Sequence, residues 1–151
     1  MMIEEFLDED LIVFVDKAED KFAMIGKMVD RALKKGIIMT REPILHKIRE
    51  REELESTGVI EGIAIPHART EAVKDVLIII GVIKEGLDFN SLDGKPVNIV
   101  FLIVAPEDAK HEYIQILARI SRMCRQEDFR KSLMDASSPS QVISLLESFD
   151  T

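Results

Sequence analysis

The chain has 151 residues, a length that suits one domain, and its 46% hydrophobic and 32% charged content excludes a disordered or fibrous protein. Lys and Arg number 20 against 28 Asp and Glu, and the resulting net charge of −8 argues against a nucleic-acid interface or an anionic membrane surface. The lone Cys124 cannot close an intrachain disulfide, which fits a reducing compartment.

Met1-Met2-Ile3-Glu4-Glu5-Phe6 places acid where a signal peptide needs basic charge and then an apolar run. The longest apolar stretch, Val76 to Ile83, is well short of the roughly 20 residues that span a bilayer as a helix. A soluble, cytoplasmic chain without membrane insertion is expected. No Pro/Gly/Ser-rich linker and no solenoid repeat divides it, so residues 1–151 are taken as a single, free-standing domain.

In chain order, the β-branched run Leu11 to Val15 predicts a buried strand. Phe22, Ile25, Val29, Ala32 and Leu33 follow helical spacing, with Gly36 placed to end the helix. A second helix is predicted with Thr40 as its cap and Pro43 in its first turn, carrying Ile44, Leu45 and Ile48 inward. Ser56-Thr57-Gly58 breaks the pattern. Three short apolar runs, Val59 to Ile65, Val76 to Ile83 and Val97 to Val104, predict core strands. From His111 to Cys124 the spacing is helical again, with Tyr113, Ile116, Leu117, Ile120 and Cys124 on one stripe. Cys124 is therefore expected to be inert core. Ser138-Pro139-Ser140-Gln141 starts a last helix whose apolar face is Val142, Leu145, Leu146 and Phe149. Strands without alternating polarity are covered on both faces. The expectation is an α/β chain (α+β in some schemes), a three-layer helix/sheet/helix sandwich around a mixed central sheet.

Phosphate-binding glycine loops, H-x-x-x-H and C-x-x-C metal pairs and a G-x-S-x-G elbow are all missing. What remains is Gly62-Ile63-Ala64-Ile65-Pro66-His67-Ala68-Arg69, where a strand runs into a proline. Pro66 fixes its own φ and pushes Ile65 into an extended conformation, so the strand is expected to stop and present His67 at the sheet's edge. A neutral imidazole is nucleophilic and can hold and release a phosphoryl group. Such transfer asks for alignment and positive potential around three oxygens. Arg51 and Arg69 are candidates for that potential, with Thr57 and the N–H groups near Gly58 as donors. On spacing alone, His67 fits a structural or merely exposed residue as well as a reactive one. His46 fits a solvated helix position.

The segments Arg51-Glu52-Glu53-Leu54-Glu55-Ser56-Thr57-Gly58 and Gly62 to Arg69 resemble the enzyme IIA domain of the fructose/mannitol class of the bacterial phosphoenolpyruvate-dependent sugar phosphotransferase system, which includes the nitrogen-regulatory enzyme IIA. The likeness continues through Gly86-Leu87-Asp88-Phe89, Leu92 to Val97 and Val100 to Pro106. The resemblance implies a phosphocarrier without metal or organic cofactor. His67 would accept the phosphoryl group, on the ring nitrogen farther from the backbone, from the histidine phosphocarrier protein, and pass it to a cysteine of enzyme IIB. Arg51 would help to hold it. The same resemblance leaves open a regulatory module whose protein targets are switched by phosphorylation. The family's second active-site histidine, at the start of the helix after the Ala-Pro turn, aligns with Tyr113, while His111 lies two residues earlier. Either His111 or Tyr113 could serve in its place.

Overall fold

In the computed structural model, which describes residues 2–58 and 60–150, helices flank a five-stranded mixed sheet. Strand β1 (Ile12–Val15) lies parallel to β4 (Leu77–Leu87), and β4 runs antiparallel to the central β5 (Val97–Ala105). On the far side of β5, two short parallel strands, β2 (Ile63–Ala64) and β3 (His67–Arg69), form the other edge.

One face of the sheet is covered by α1 (Lys21–Lys35) and α2 (Glu42–Leu54). Met24, Met28, Ile44 and Ile48 pack there against Val13, Ile79, Val100, Leu102 and Val104. The other face is covered by α3 (Lys110–Cys124), α4 (Glu127–Asp135) and α5 (Pro139–Phe149). Here Ile116, Ile120, Phe129 and Leu146 meet Ile12, Ile80, Ile99, Phe101 and Ile103. Successive strand residues thus alternate between two apolar layers, which is why the strands are continuous apolar runs in the sequence. Cys124 lies fully buried in the second layer, where burial pushes its thiol pKa up to about 12.

The helix ends follow local chemistry. Asp20 accepts a hydrogen bond from the Ala23 N–H at the start of α1, and Gly36 closes that helix at φ +83°, a left-handed position that favours glycine. Ser138 caps α5 by accepting from Gln141 N–H. The predicted Thr40 cap of α2 is not formed. Arg41 occupies the cap position without a side-chain cap bond, and its guanidinium is engaged with Asp30 at 2.7 Å.

The predicted strand over Val59–Ile65 is also much shorter in the structure. Gly62 takes φ +76° and Ile63 N–H donates to Ile60 C=O at 2.7 Å, a tight turn that delays pairing with β5 until Ile63. Val59 lies outside the described residues. Nor does the strand end at Pro66: it is interrupted at Ile65-Pro66 and resumes as β3, with His67 in register with Ile103.

Candidate active site

The strand register decides which way His67 faces. Ala68 packs into the α1/α2 layer, whereas His67 and Arg69 pair with Ile103 and Ala105, residues of the α3 layer. Because β3 is an edge strand, its outer side is open. Between the C-terminal half of α2 and the first turns of α3, an open groove of about 820 Å³ is lined by Lys47, Arg51, Leu54, His67, Arg69 and Tyr113, among others. A second cavity of about 780 Å³, lined by Phe14, Val82, Ile99 and Met134, lies toward the other end of β5. Lys84 is its one basic residue and no histidine, cysteine or arginine lines it among the described residues, whereas His67 and two arginines converge in the first.

His67 is half-buried, and its Nδ1 lies 2.7 Å from the carbonyl oxygen of Ile65. A carbonyl only accepts, so Nδ1 carries the proton and Nε2 keeps its lone pair. Pro66, between them, fixes its own φ and favours an extended Ile65, and across it the ring of residue 67 reaches the carbonyl of residue 65. Burial lowers the imidazole pKa below its ordinary value, and the Arg51 cation lowers it further. The bond to Ile65 and the negative charge of Glu52 act in the opposite sense. The net result is a neutral ring at neutral pH.

Arg51 sits in the last turn of α2, where its Nη1 donates to Glu55 C=O at 2.8 Å. That bond orients a guanidinium fork at the groove. Tyr113, in the first turn of α3, places its ring 6.2 Å from that of His67, centroid to centroid, at 54°. Burial pushes the phenol pKa up to about 12 against the pull of Arg69 and Arg51, so the hydroxyl stays a donor. A nucleophilic nitrogen with two cations and one phenol around it can accept and hold a tetrahedral anion.

The structure thus brings together His67, Arg51, Arg69 and Tyr113. It does not bring in the other two candidates. His111 is exposed and is not among the described residues lining the groove, because it precedes Tyr113 by about half a helical turn and faces away. Thr57 is buried and its hydroxyl is committed elsewhere, donating to Glu52 Oε1 at 2.6 Å. The hydroxyl proton expected to face a phosphoryl group is thus given to a carboxylate inside the protein. His46 is an exposed residue 3.4 Å from Glu50, as its helical position suggests. The residue that sequence reasoning missed is Glu52, 2% exposed within a run of charges. Its spacing was the available signal, since it continues the buried Ile44–Ile48 stripe by four residues.

Residues 5–149 match the family model of the phosphoenolpyruvate-dependent sugar phosphotransferase system, EIIA 2. The chain is 37% identical over 150 residues to a fructose-specific EIIABC component of the phosphotransferase system from Bacillus subtilis, covering 99% of this chain and 24% of that protein. It therefore spans about a quarter of that relative's length. It is 34% identical to a fructose-specific EIIA component from Haloferax volcanii, covering 91% of this chain and 89% of the other. Among solved structures, the nitrogen regulatory protein IIA-Ntr from Neisseria meningitidis superposes with a TM-score of 0.87 at 29% identity, over 95% of this chain and 98% of that one. Enzyme IIA mannitol from Escherichia coli, in complex with phosphorylated enzyme IIB mannitol, gives 0.76 at 25% identity, over 94% and 97%.

Proposed function

The chain belongs to the EIIA 2 family of the phosphoenolpyruvate-dependent sugar phosphotransferase system, and from that premise we propose that it is a phosphocarrier acting through His67. The observation that carries the proposal is the 2.7 Å bond from His67 Nδ1 to Ile65 C=O. It leaves Nε2 as the free nucleophile in a groove that also holds Arg51, Arg69 and Tyr113.

The Nε2 lone pair attacks the phosphorus carried by a phosphohistidine of the histidine phosphocarrier protein. The N–P bond of the donor breaks, and its electron pair returns to the donor imidazole. Arg51 and Arg69 face the phosphoryl oxygens during transfer, and Tyr113 donates its hydroxyl. In the second half-reaction a cysteine thiolate of enzyme IIB attacks the same phosphorus, and the electrons of the Nε2–P bond return to His67. Both partners must dock over the one groove, because in-line transfer brings donor and acceptor within a few ångström. The net charge of −8 suits partners with basic docking faces. The family match over 5–149 supports one phosphocarrier domain spanning 1–151, and a cytoplasmic location is part of the same proposal.

Incubation with histidine phosphocarrier protein whose phosphoryl group is radiolabelled should yield one alkali-stable, acid-labile adduct, and His67→Ala should abolish it. Label on the His67→Ala protein would overturn the proposal. A second reading is favoured by one observation, the higher TM-score to the nitrogen regulatory protein. In that reading phosphorylation of His67 switches affinity for a regulatory target. Affinity capture with phosphorylated and unmodified protein separates the two, since identical partner sets argue against a switch.

A further inference from the structure

The groups that fix His67 extend beyond the groove. Glu52 neighbours Arg51 on α2, yet its side chain is fully buried. Its Oε2 accepts from Thr57 N–H at 2.9 Å and its Oε1 from the Thr57 hydroxyl at 2.6 Å. Lys21 Nζ lies 3.4 Å from Oε2 and 3.4 Å from the carbonyl of Phe89, flanked by the rings of Phe22 and Phe89 at 5.4 and 5.6 Å. The Thr57 carbonyl in turn accepts from Ile65 N–H at 3.2 Å, and the Ile65 carbonyl accepts from His67 Nδ1.

We propose that Glu52, held by Lys21, is a positioning residue for phosphoryl transfer: through Thr57 and Ile65 it fixes the carbonyl that sets the tautomer and orientation of the His67 ring. For its kinetic consequence the proposal rests on the carrier reading; its structural content does not.

A carboxylate is costly to take out of water unless its oxygens are paired, and an apolar residue would close α2 onto the sheet with less difficulty. What the carboxylate adds is a two-point grip on a single residue. With its N–H and its hydroxyl both held, the 56–57 peptide and the side chain of Thr57 are anchored at Cα, and from there its carbonyl accepts from Ile65. That matters because Ile65 lies between the paired residues of β2 and β3, where no ladder bond with β5 fixes it. Its N–H goes to Thr57 and its carbonyl to His67. The charge has a second effect. Forming the Nε2–P bond while Nδ1 keeps its proton places positive charge on the ring, which the Glu52 carboxylate favours and Arg51 opposes. Lys47, Glu50 and Glu53 of α2, Arg69 of β3 and Tyr113 of α3 are the other ionisable groups that line the same groove.

The test compares unphosphorylated full-length wild type, Glu52→Gln and the double variant Lys21→Met/Glu52→Gln, by ¹⁵N NMR of the His67 side chain across pH. Glu52→Gln should reduce the Nδ1–H tautomer fraction, lower the imidazole pKa and slow phosphoryl uptake about tenfold. The double variant removes the orphaned ammonium. It should regain thermal stability while its tautomer fraction and pKa stay at the single-variant values. Wild-type tautomer and pKa in folded Glu52→Gln, or their recovery together with stability in the double variant, would overturn the proposal. If Glu52→Gln does not fold, Thr57→Val removes the hydroxyl contact alone and should shift the tautomer in the same direction by less, an unchanged tautomer overturning it. The NMR readout needs no phosphoryl donor, so failure of the carrier reading would show separately, as a wild type that takes up no label.

Discussion

Replacing Tyr113 by Phe deletes one oxygen and leaves the ring. The hydroxyl makes none of the side-chain hydrogen bonds found among the described residues, and burial keeps it protonated with a pKa of about 12. Two consequences follow. Folding stability should change by less than about 1 kcal/mol, because no protein partner is orphaned. Transfer should suffer more. A hydrogen bond to a charged acceptor contributes about 1.5–3 kcal/mol. At about 1.4 kcal/mol per factor of ten, that is a fall of roughly 10- to 150-fold in the rate of phosphoryl uptake. The assay is rapid-quench labelling of His67 from the phosphorylated carrier, with urea unfolding as the control for the fold. Tyr113→His sharpens the comparison: it replaces a group that does not titrate near neutrality with an imidazole, so the pH profile should gain a break near pH 6.5. A Tyr113→Phe protein that labels within about twofold of wild type would refute the reasoning and leave Tyr113 as a packing residue of α3.

Arg51→Gln should raise the His67 pKa, because the guanidinium lowers it, and should slow uptake by a factor of ~10 or more; an unmoved NMR titration curve would contradict this. Since the folded-state pKa of His67 lies below that of the unfolded chain, the unfolded state binds the proton first as pH falls. Stability attributable to this group is therefore complete above pH ~6.5 and declines below it until the folded-state pKa is passed. Urea midpoints measured between pH 8 and 5 should show that decline in wild type and a smaller one in His67→Gln. Ser138→Ala removes the bond to Gln141 N–H at the start of α5 and should cost about 1 kcal/mol of unfolding free energy, checked by chemical denaturation.

Much of the layering was legible because apolar period and length are strong local signals. The runs at Val76–Ile83 and Val97–Val104 became β4 and β5, and the stripe through Tyr113, Ile116 and Ile120 became the inner face of α3. What was lost depended on positions where a local signal has two outcomes. Gly62 inside an apolar run permits either a strand or a left-handed turn, and the turn won because Ile63 N–H closes onto Ile60. Pro66 was expected to stop a strand, but it removes only one donor and one conformation, so pairing resumed a residue later. The placement of His111 and Tyr113 turned on helical phase: two residues differ by about 200° around the axis, so only one of them can face His67.

The same geometry explains why the charged run Arg49-Glu50-Arg51-Glu52-Glu53 conceals a buried member. Along a helix, neighbours in sequence are about 100° apart, so five consecutive charges cannot share one environment. Here Glu50 and Glu53 face solvent, Arg51 turns to the groove and Glu52 continues the stripe of Ile44 and Ile48 into the core. A carboxylate in register with two buried isoleucines has to find donors or disrupt the helix's packing. The Ser56–Gly58 turn that follows the helix has donors to offer, and Glu52 takes both of those on Thr57, with Lys21 Nζ 3.4 Å from the same carboxylate. The side chain that looks most dispensable in the sequence thereby joins the end of α2, through Thr57 and Ile65, to the strand that carries His67, one residue away from the arginine that lines the groove.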